Sequence, residues 1–234
     1  MDKQDVRERV WDELAESGEA RFPYPPHGRI PNFNGADEAA ERLAATEAWR
    51  EADAIKSNPD APQLPVRRAA LRQEKTVYMA VPRLREEKCF LRLDPAEIDD
   101  YDHATTIGGS AEVGVQVAPE EMDPIDLIVS GSVAVDESGG RIGKGEGYSD
   151  LEFALLRECG LVSDETVTAT TVHEMQVVDD DVDAGAHDVP IDLIVTPERT
   201  VRDEVRAKPS GVRWAELSEE RIEEIPILRR LRPE

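Results

Sequence analysis

Residues 139 to 150, Gly-Gly-Arg-Ile-Gly-Lys-Gly-Glu-Gly-Tyr-Ser-Asp, bring together the residue types that build an anion site. Gly139, Gly140, Gly143, Gly145 and Gly147 alternate with Arg141 and Lys144. Glycines let backbone N–H groups approach a phosphate, a following helix start adds positive potential, and the two cations supply charge. An apolar run, Ile125 to Val135, precedes the stretch, and a helix-like segment opening at Tyr148 follows it. This is neither a Walker loop, because Lys144 is followed by glycine and not Ser or Thr, nor a dinucleotide fingerprint. A tight structural turn is the competing reading.

Asp150 falls in the first turn of the following helix, as a dipole partner or as a Mg2+ ligand beside nucleotide phosphates. His187-Asp188 precedes an apolar strand and reads equally as a solvated turn. Lys3 and Arg7, four apart, share one face of a helix, where isolated cations are ordinarily surface charges. His173-Glu174 ends a strand, and no second histidine stands at zinc-ligand spacing. There is no Gly-x-Ser-x-Gly elbow. Cys89 and Cys159 lack metal-ligand spacing and read as buried or free thiols. Trp11, Trp49 and Trp214 are scattered, without the basic and aromatic stripe of an RNA binder.

The elements that must position these groups follow from apolar spacing. Val6, Val10, Trp11 and Leu14 predict an amphipathic helix over residues 3–15. Residues 21–31 are proline-rich and non-helical. A second helix is expected from Asn34 through about Ala54, with Leu43, Ala44 and Ile55 on one side, then a loop and a short helix from Val66 to Arg72. Strands are expected at 76–81, 89–93, 126–135, 167–172 and 191–195, and helices at 151–159 and 217–225. Several strands are continuous apolar runs, as in sheets covered on both faces. Pro-Ile-Asp-Leu-Ile-Val occurs at Pro124 and again at Pro190, which reads as two similar buried strands. The pattern predicts a three-layer α/β sandwich with a mainly parallel sheet and helical N-terminal additions. Ligands of such sheets sit beyond the carboxyl ends of strands, where residues 136–150 fall. One domain is expected over 1–234: a helical part to residue 60, a sheet core over 61–205, and a C-terminal extension from 206.

Acidic residues number 51 against 28 basic ones, a net charge of −23. They are dispersed, and densest at residues 179–181. Such a surface stays hydrated when salt screens its self-repulsion, which predicts a halophilic protein of a high-salt cytoplasm. The charge disfavours non-specific nucleic-acid binding. No apolar stretch approaches the roughly 20 residues of a membrane span, and the charged start lacks a signal-peptide pattern, so a soluble cytoplasmic protein is expected.

Several pieces together resemble the 5-formyltetrahydrofolate cyclo-ligase (methenyltetrahydrofolate synthetase) family. Residues 140–150 are similar to its Gly-x-Arg-Leu-Gly-x-Gly-x-Gly-Tyr-Tyr-Asp pattern. Residues 126–136, His187 to Thr196, Lys3-Gln-Asp-Val-Arg7 and Lys75 to Arg83 also fit. Residues 55–63, 143–148 and 172–178 look most like the methenyltetrahydrofolate synthetase domain-containing branch, here without an RNA recognition motif. The resemblance implies a fold like that of sugar-phosphate isomerases and CoA-transferases, and an ATP-dependent, C–N bond-forming ligase of one-carbon folate metabolism with ATP and Mg2+ as cofactors. It implies Arg141 and Lys144 as catalytic cations and Lys3, Arg7, Gly140, Gly143, Gly145 and Gly147 as the nucleotide cradle. Tyr148 would line the side of the reduced folate, and Asp150 and Asp188 would hold the metal. Three departures stand out. Glu146 and Ser149 replace a small and an aromatic residue, and Pro62 to Arg67 lacks the glutamate of the family's substrate element.

Overall fold

Five strands that pair in parallel form the centre of the protein. The computed structural model describes residues 2–179, 182, 185, 187–202 and 207–233, so Asp180 and Asp181 of the acidic run lie outside the described residues. In chain order the first elements are α1 (Lys3–Ser17), β1 (Ala20–Arg21), β2 (Asn32–Phe33), α2 (Ala36–Ala44), α3 (Glu47–Glu51) and β3 (Ala54–Ser57). Next come α4 (Leu64–Arg72), β4 (Thr76–Ala80), β5 (Phe90–Leu93), α5 (Tyr101–Ala104), α6 (Ile107–Val113) and β6 (Val115–Val117). The site region holds β7 (Leu127–Val129), β8 (Ala134–Asp136), β9 (Arg141–Ile142) and α7 (Tyr148–Glu158). The rest comprises β10 (Val167–Thr171), β11 (Val177–Val178), β12 (Leu193–Val195), β13 (Thr200–Arg202), α8 (Glu219–Glu224) and α9 (Pro226–Leu231).

The eight-stranded sheet runs β13-β12-β10-β7-β3-β4-β5-β6. Pairing is parallel from β12 to β4 and antiparallel at both edges. This is the mixed α/β fold with a mostly parallel sheet that the apolar runs predict. The repeated hexapeptide supplies β7 and β12, which flank β10 on either side. Its aspartate does the same task twice. Asp126 Oδ2 accepts the N–H groups of Asp53 and Ala54 at 2.9 Å each, where β3 begins. Asp192 Oδ2 accepts from Thr168 N at 2.8 Å, where β10 begins. Each carboxylate therefore satisfies the open end of the neighbouring parallel strand.

Two expected elements differ. The second helix stops early: Thr46 Oγ1 accepts Trp49 N–H and caps a separate α3, and Ile55 lies in the buried central strand β3. Lys56 within that strand hides its apolar character. Residues 126–135 are not one strand either. The chain leaves the large sheet after Val129, and β8 pairs with β9 and β11 in a second, three-stranded sheet. The α1 residues Val6, Val10, Trp11 and Leu14 are buried against Val133, Ala134 and Ile142 of that sheet. Burying four such side chains is worth roughly 1.5–3 kcal/mol each, and it sets the start of α1 beside the glycine-rich turn.

Candidate functional site

Asp136 shapes the turn that leads into the site. Its buried carboxylate accepts Ser138 N and Gly140 N at 2.9 Å each and Val182 N at 2.8 Å. A Cβ on Gly139 would meet Ile191 O at 2.5 Å, and one on Gly140 would meet Asp136 Oδ2 at 2.4 Å. Both glycines thus allow close packing. Gly140 spends its N–H on Asp136, so the structure sets it apart from the cradle in which the resemblance placed it.

Beyond β9 the chain opens into a cleft of about 460 Å³ lined by Gly143, Lys144, Gly145, Glu146, Gly147 and Tyr148, among others. That is within the usual size range of small-molecule sites. Gly145 (φ 102°) and Gly147 (φ 69°) take left-handed conformations that favour glycine. Gly147 is the N-cap of α7 and supplies no side-chain cap, and Gly147, Tyr148, Ser149 and Asp150 of this helix start line the cleft. Lys144 pairs with Glu146 at 2.8 Å, both partly exposed.

Cations converge on this turn from α1. Arg7 Nε donates to Gly143 O at 2.7 Å, and Lys3 Nζ pairs with Asp188 at 2.5 Å. The shared helical face of Lys3 and Arg7 is therefore turned to the turn and not to open solvent. Burial lowers the Arg7 pKa, against the opposing charges of Asp2 and Asp188.

Arg141 is buried under the turn. One of its nitrogens, Nη2, donates to Asp150 Oδ1 and Oδ2 at 2.6 and 2.7 Å, and Nη1 donates to Gly131 O at 3.1 Å. Val189 N–H donates to the same Asp150 Oδ1 at 3.0 Å. Burial alone would raise the Asp150 carboxyl, but the adjacent guanidinium prevails and holds it below its ordinary value. Asp188 Oδ2 accepts Gly185 N–H at 2.8 Å besides Lys3. Both carboxylates are thus engaged by cations and amides, and the described residues hold no group of three metal-capable side chains. Mg2+ held beside nucleotide phosphates asks the protein for only one or two carboxylates, and Asp150 and Asp188 are the two that would hold it here. In the fold itself Asp150 and Asp188 order the cations beside the turn.

The opposite wall was not read from the sequence. Asp60 lines the cleft, and Gln63, fully buried, has an Oε1 without a partner. A Cβ on Gly131 would lie 3.1 Å from Asp60 Oδ2 and from Gln63 Oε1, which places both acceptors together. Burial raises the Asp60 carboxyl, opposed by Lys144, Arg67 and Lys56. Arg67 holds this wall: its buried guanidinium donates to the carbonyls of Asn58 (2.6 Å), Asp60 (3.1 Å), Pro59 (3.2 Å) and Thr105 (3.0 Å). Burial brings its pKa down to about 10. Behind them Lys56 and Glu152 form a buried ion pair, and Ser149 Oγ reaches Asn58 Oδ1 at 3.4 Å and Ser130 Oγ at 3.3 Å. A signal existed. Arg67, Lys56 and Glu152 are charges standing at apolar-face positions of α4, β3 and α7, where each needs a buried partner.

The fold is mixed α/β, with a mostly parallel central sheet and a cleft bordered by a glycine-rich turn that carries Arg141 and Lys144. The chain belongs to the 5-formyltetrahydrofolate cyclo-ligase family, whose sequence pattern matches residues 1–197. Curated relatives named methenyltetrahydrofolate synthase domain-containing protein are 42% identical over 237 residues in Bos taurus and 40% identical over 237 residues in Homo sapiens. In each case 99% of this chain and 62% of the relative are covered, so the chain spans about three-fifths of their length. Among solved structures, the Aquifex aeolicus 5,10-methenyltetrahydrofolate synthetase shares the fold, with a TM-score of 0.55 and 19% identity over 92% of this chain and 99% of that one. No helix among the described residues is long and apolar enough to cross a membrane.

Proposed function

We propose that the protein is an ATP-dependent ligase that closes 5-formyltetrahydrofolate to 5,10-methenyltetrahydrofolate in one-carbon metabolism. The observation that carries this reading is a cleft-lining glycine-rich turn that holds Arg141 and Lys144 and is bound by Arg7, with Lys3 paired to the neighbouring Asp188. The γ-phosphoryl group of ATP passes to the formyl oxygen and ADP leaves. N10 then attacks the formyl carbon, a C–N bond forms, the C–O bond breaks, and phosphate departs with that oxygen while the N10 proton passes to solvent. Such chemistry asks mainly for positioning and charge stabilisation. Lys144 and the amides of 143–147 hold phosphate oxygens, and Lys3 and Arg7 add charge from α1. Arg141, fixed by Asp150, supports the turn from beneath. Tyr148 faces the folate side, and Asp60 offers an acceptor to the N–H-rich edge of the pterin.

A second reading, the same phosphoryl transfer to another acceptor, is favoured by one observation: the segment that should carry the substrate glutamate presents Gln63 with its Oε1 unpaired. Absorbance separates the two. Purified protein with 5-formyltetrahydrofolate and Mg-ATP in high-salt buffer should develop the methenyl chromophore only with both substrates. Lys144→Ala should abolish it without a change in melting temperature. Folded wild-type protein that forms no chromophore overturns the cyclo-ligase reading.

A further inference from the structure

The glycine-rich turn has little packing of its own. Residues 144–147 are exposed, and a Cβ at Gly147 would meet nothing within 4 Å. The chain holds it from two sides. From the N-terminal side Arg7 binds Gly143 O, and its guanidinium carbon lies 3.6 Å from where a Gly145 Cβ would stand. From the C-terminal side Arg221 of α8 lies 4.3 Å over the Tyr148 ring and donates from Nη2 to Glu146 O at 3.1 Å.

The segment that carries Arg221 is itself anchored. Lys208, buried, donates to Asp192 Oδ2 and Thr166 O at 2.6 Å each. Val212 N–H donates to Glu158 Oε1 of α7 at 2.9 Å. Ser218 Oγ accepts Arg221 N–H at 3.2 Å and caps α8, while Ile222, Ile225, Ile227 and Leu228 join the main core. Arg232 closes on both oxygens of Glu219 at 2.7 and 2.8 Å. These anchors leave a second cavity of about 390 Å³ behind the turn, lined by Leu151, Val212, Leu217 and Arg221, among others. The residues matched by the cyclo-ligase family end at 197, so this brace lies outside them.

We infer that Arg221 is a positioning residue, which fixes Glu146 and Tyr148 on either side of Gly147 so that the turn is preformed for phosphate. The inference rests on the reading that this turn holds nucleotide phosphates. A guanidinium suits the task because it stacks on a ring and donates to a carbonyl at once, which lysine's point charge does less well. The anchored segment supplies the rigidity that a turn with two left-handed glycines lacks.

The test uses the full chain with Arg221→Met, which keeps the aliphatic stem, and Arg221→Lys, which keeps the charge. Three quantities are read: thermal melting, hydrogen exchange of the amides of 143–148 without ligand, and Mg-ATP binding by calorimetry. Arg221→Met should melt with the wild type, exchange those amides faster, and bind Mg-ATP about tenfold more weakly. Arg221→Lys should fall between. If Arg221→Met does not fold, Arg221→Lys alone decides, since the same partial gain in exchange is required of it. Unchanged exchange at 143–148 in a folded variant overturns the inference. Wild-type protein that binds no Mg-ATP would overturn the nucleotide reading instead, and the exchange data would still decide whether Arg221 braces the turn.

Discussion

Asp150→Asn separates a metal ligand from a counterion. Asp150 meets Arg141 at 2.6 and 2.7 Å, with the arginine side chain only 5% and the aspartate 13% exposed. For unit charges about 4 Å apart in a medium of effective dielectric about 20, attraction is roughly 4 kcal/mol. Removing one partner of a buried pair costs about 3–5 kcal/mol, because the other charge stays buried without compensation. Asparagine keeps an oxygen for the Val189 amide, so the lower end, about 3 kcal/mol, is expected. In a chain of this size that lowers Tm by roughly 6–12 °C. The pH dependence has a definite sign. The Asp150 carboxyl is held below its ordinary value in the fold, so its contribution is present above the ordinary carboxylate range and is lost as pH falls through the folded value. The gap between wild type and variant should therefore be full at pH 7 and narrow in acid. The assay is thermal melting in EDTA across pH. A variant that melts with the wild type at pH 7 without metal would refute the counterion assignment.

Lys56→Met should cost about 3–5 kcal/mol by stranding buried Glu152, and adding Glu152→Leu should recover most of it, as read by urea unfolding. Asp60→Asn should raise the melting temperature slightly at pH 7, because burial makes the charged form costly in the fold, yet weaken binding of 5-formyltetrahydrofolate about tenfold by calorimetry. Loss of stability, or unchanged folate affinity, would contradict that placement of Asp60. With a net charge of −23, melting temperature should climb between about 0.1 M and about 1 M KCl, as the screening length falls from about 10 Å to about 3 Å. A flat response would remove the argument for a high-salt environment.

The parallel sheet was legible because β4, β7 and β12 are short, mainly apolar runs in the buried centre, and the repeated hexapeptide marked two of them. The face of α1 was legible too, since Val6, Val10, Trp11 and Leu14 keep helical spacing and all four are buried. What escaped was set by long-range partners. Strand β3 carries Lys56, whose burial makes sense only with Glu152, 96 positions away. The break between β7 and β8 depends on a second sheet that assembles on α1. At the site, the turn and its cations could be read from residue types. The placement of Asp60 could not, because buried Arg67 sets it through the carbonyls of Asn58, Pro59 and Asp60.

The most direct measurement of the central claim is stoichiometry in one reaction: methenyl chromophore formed and ADP released, with 5-formyltetrahydrofolate and Mg-ATP both present. One ADP should appear for each ring closed, with neither product in the absence of the other substrate. ADP release without chromophore, or chromophore without ADP, would contradict it.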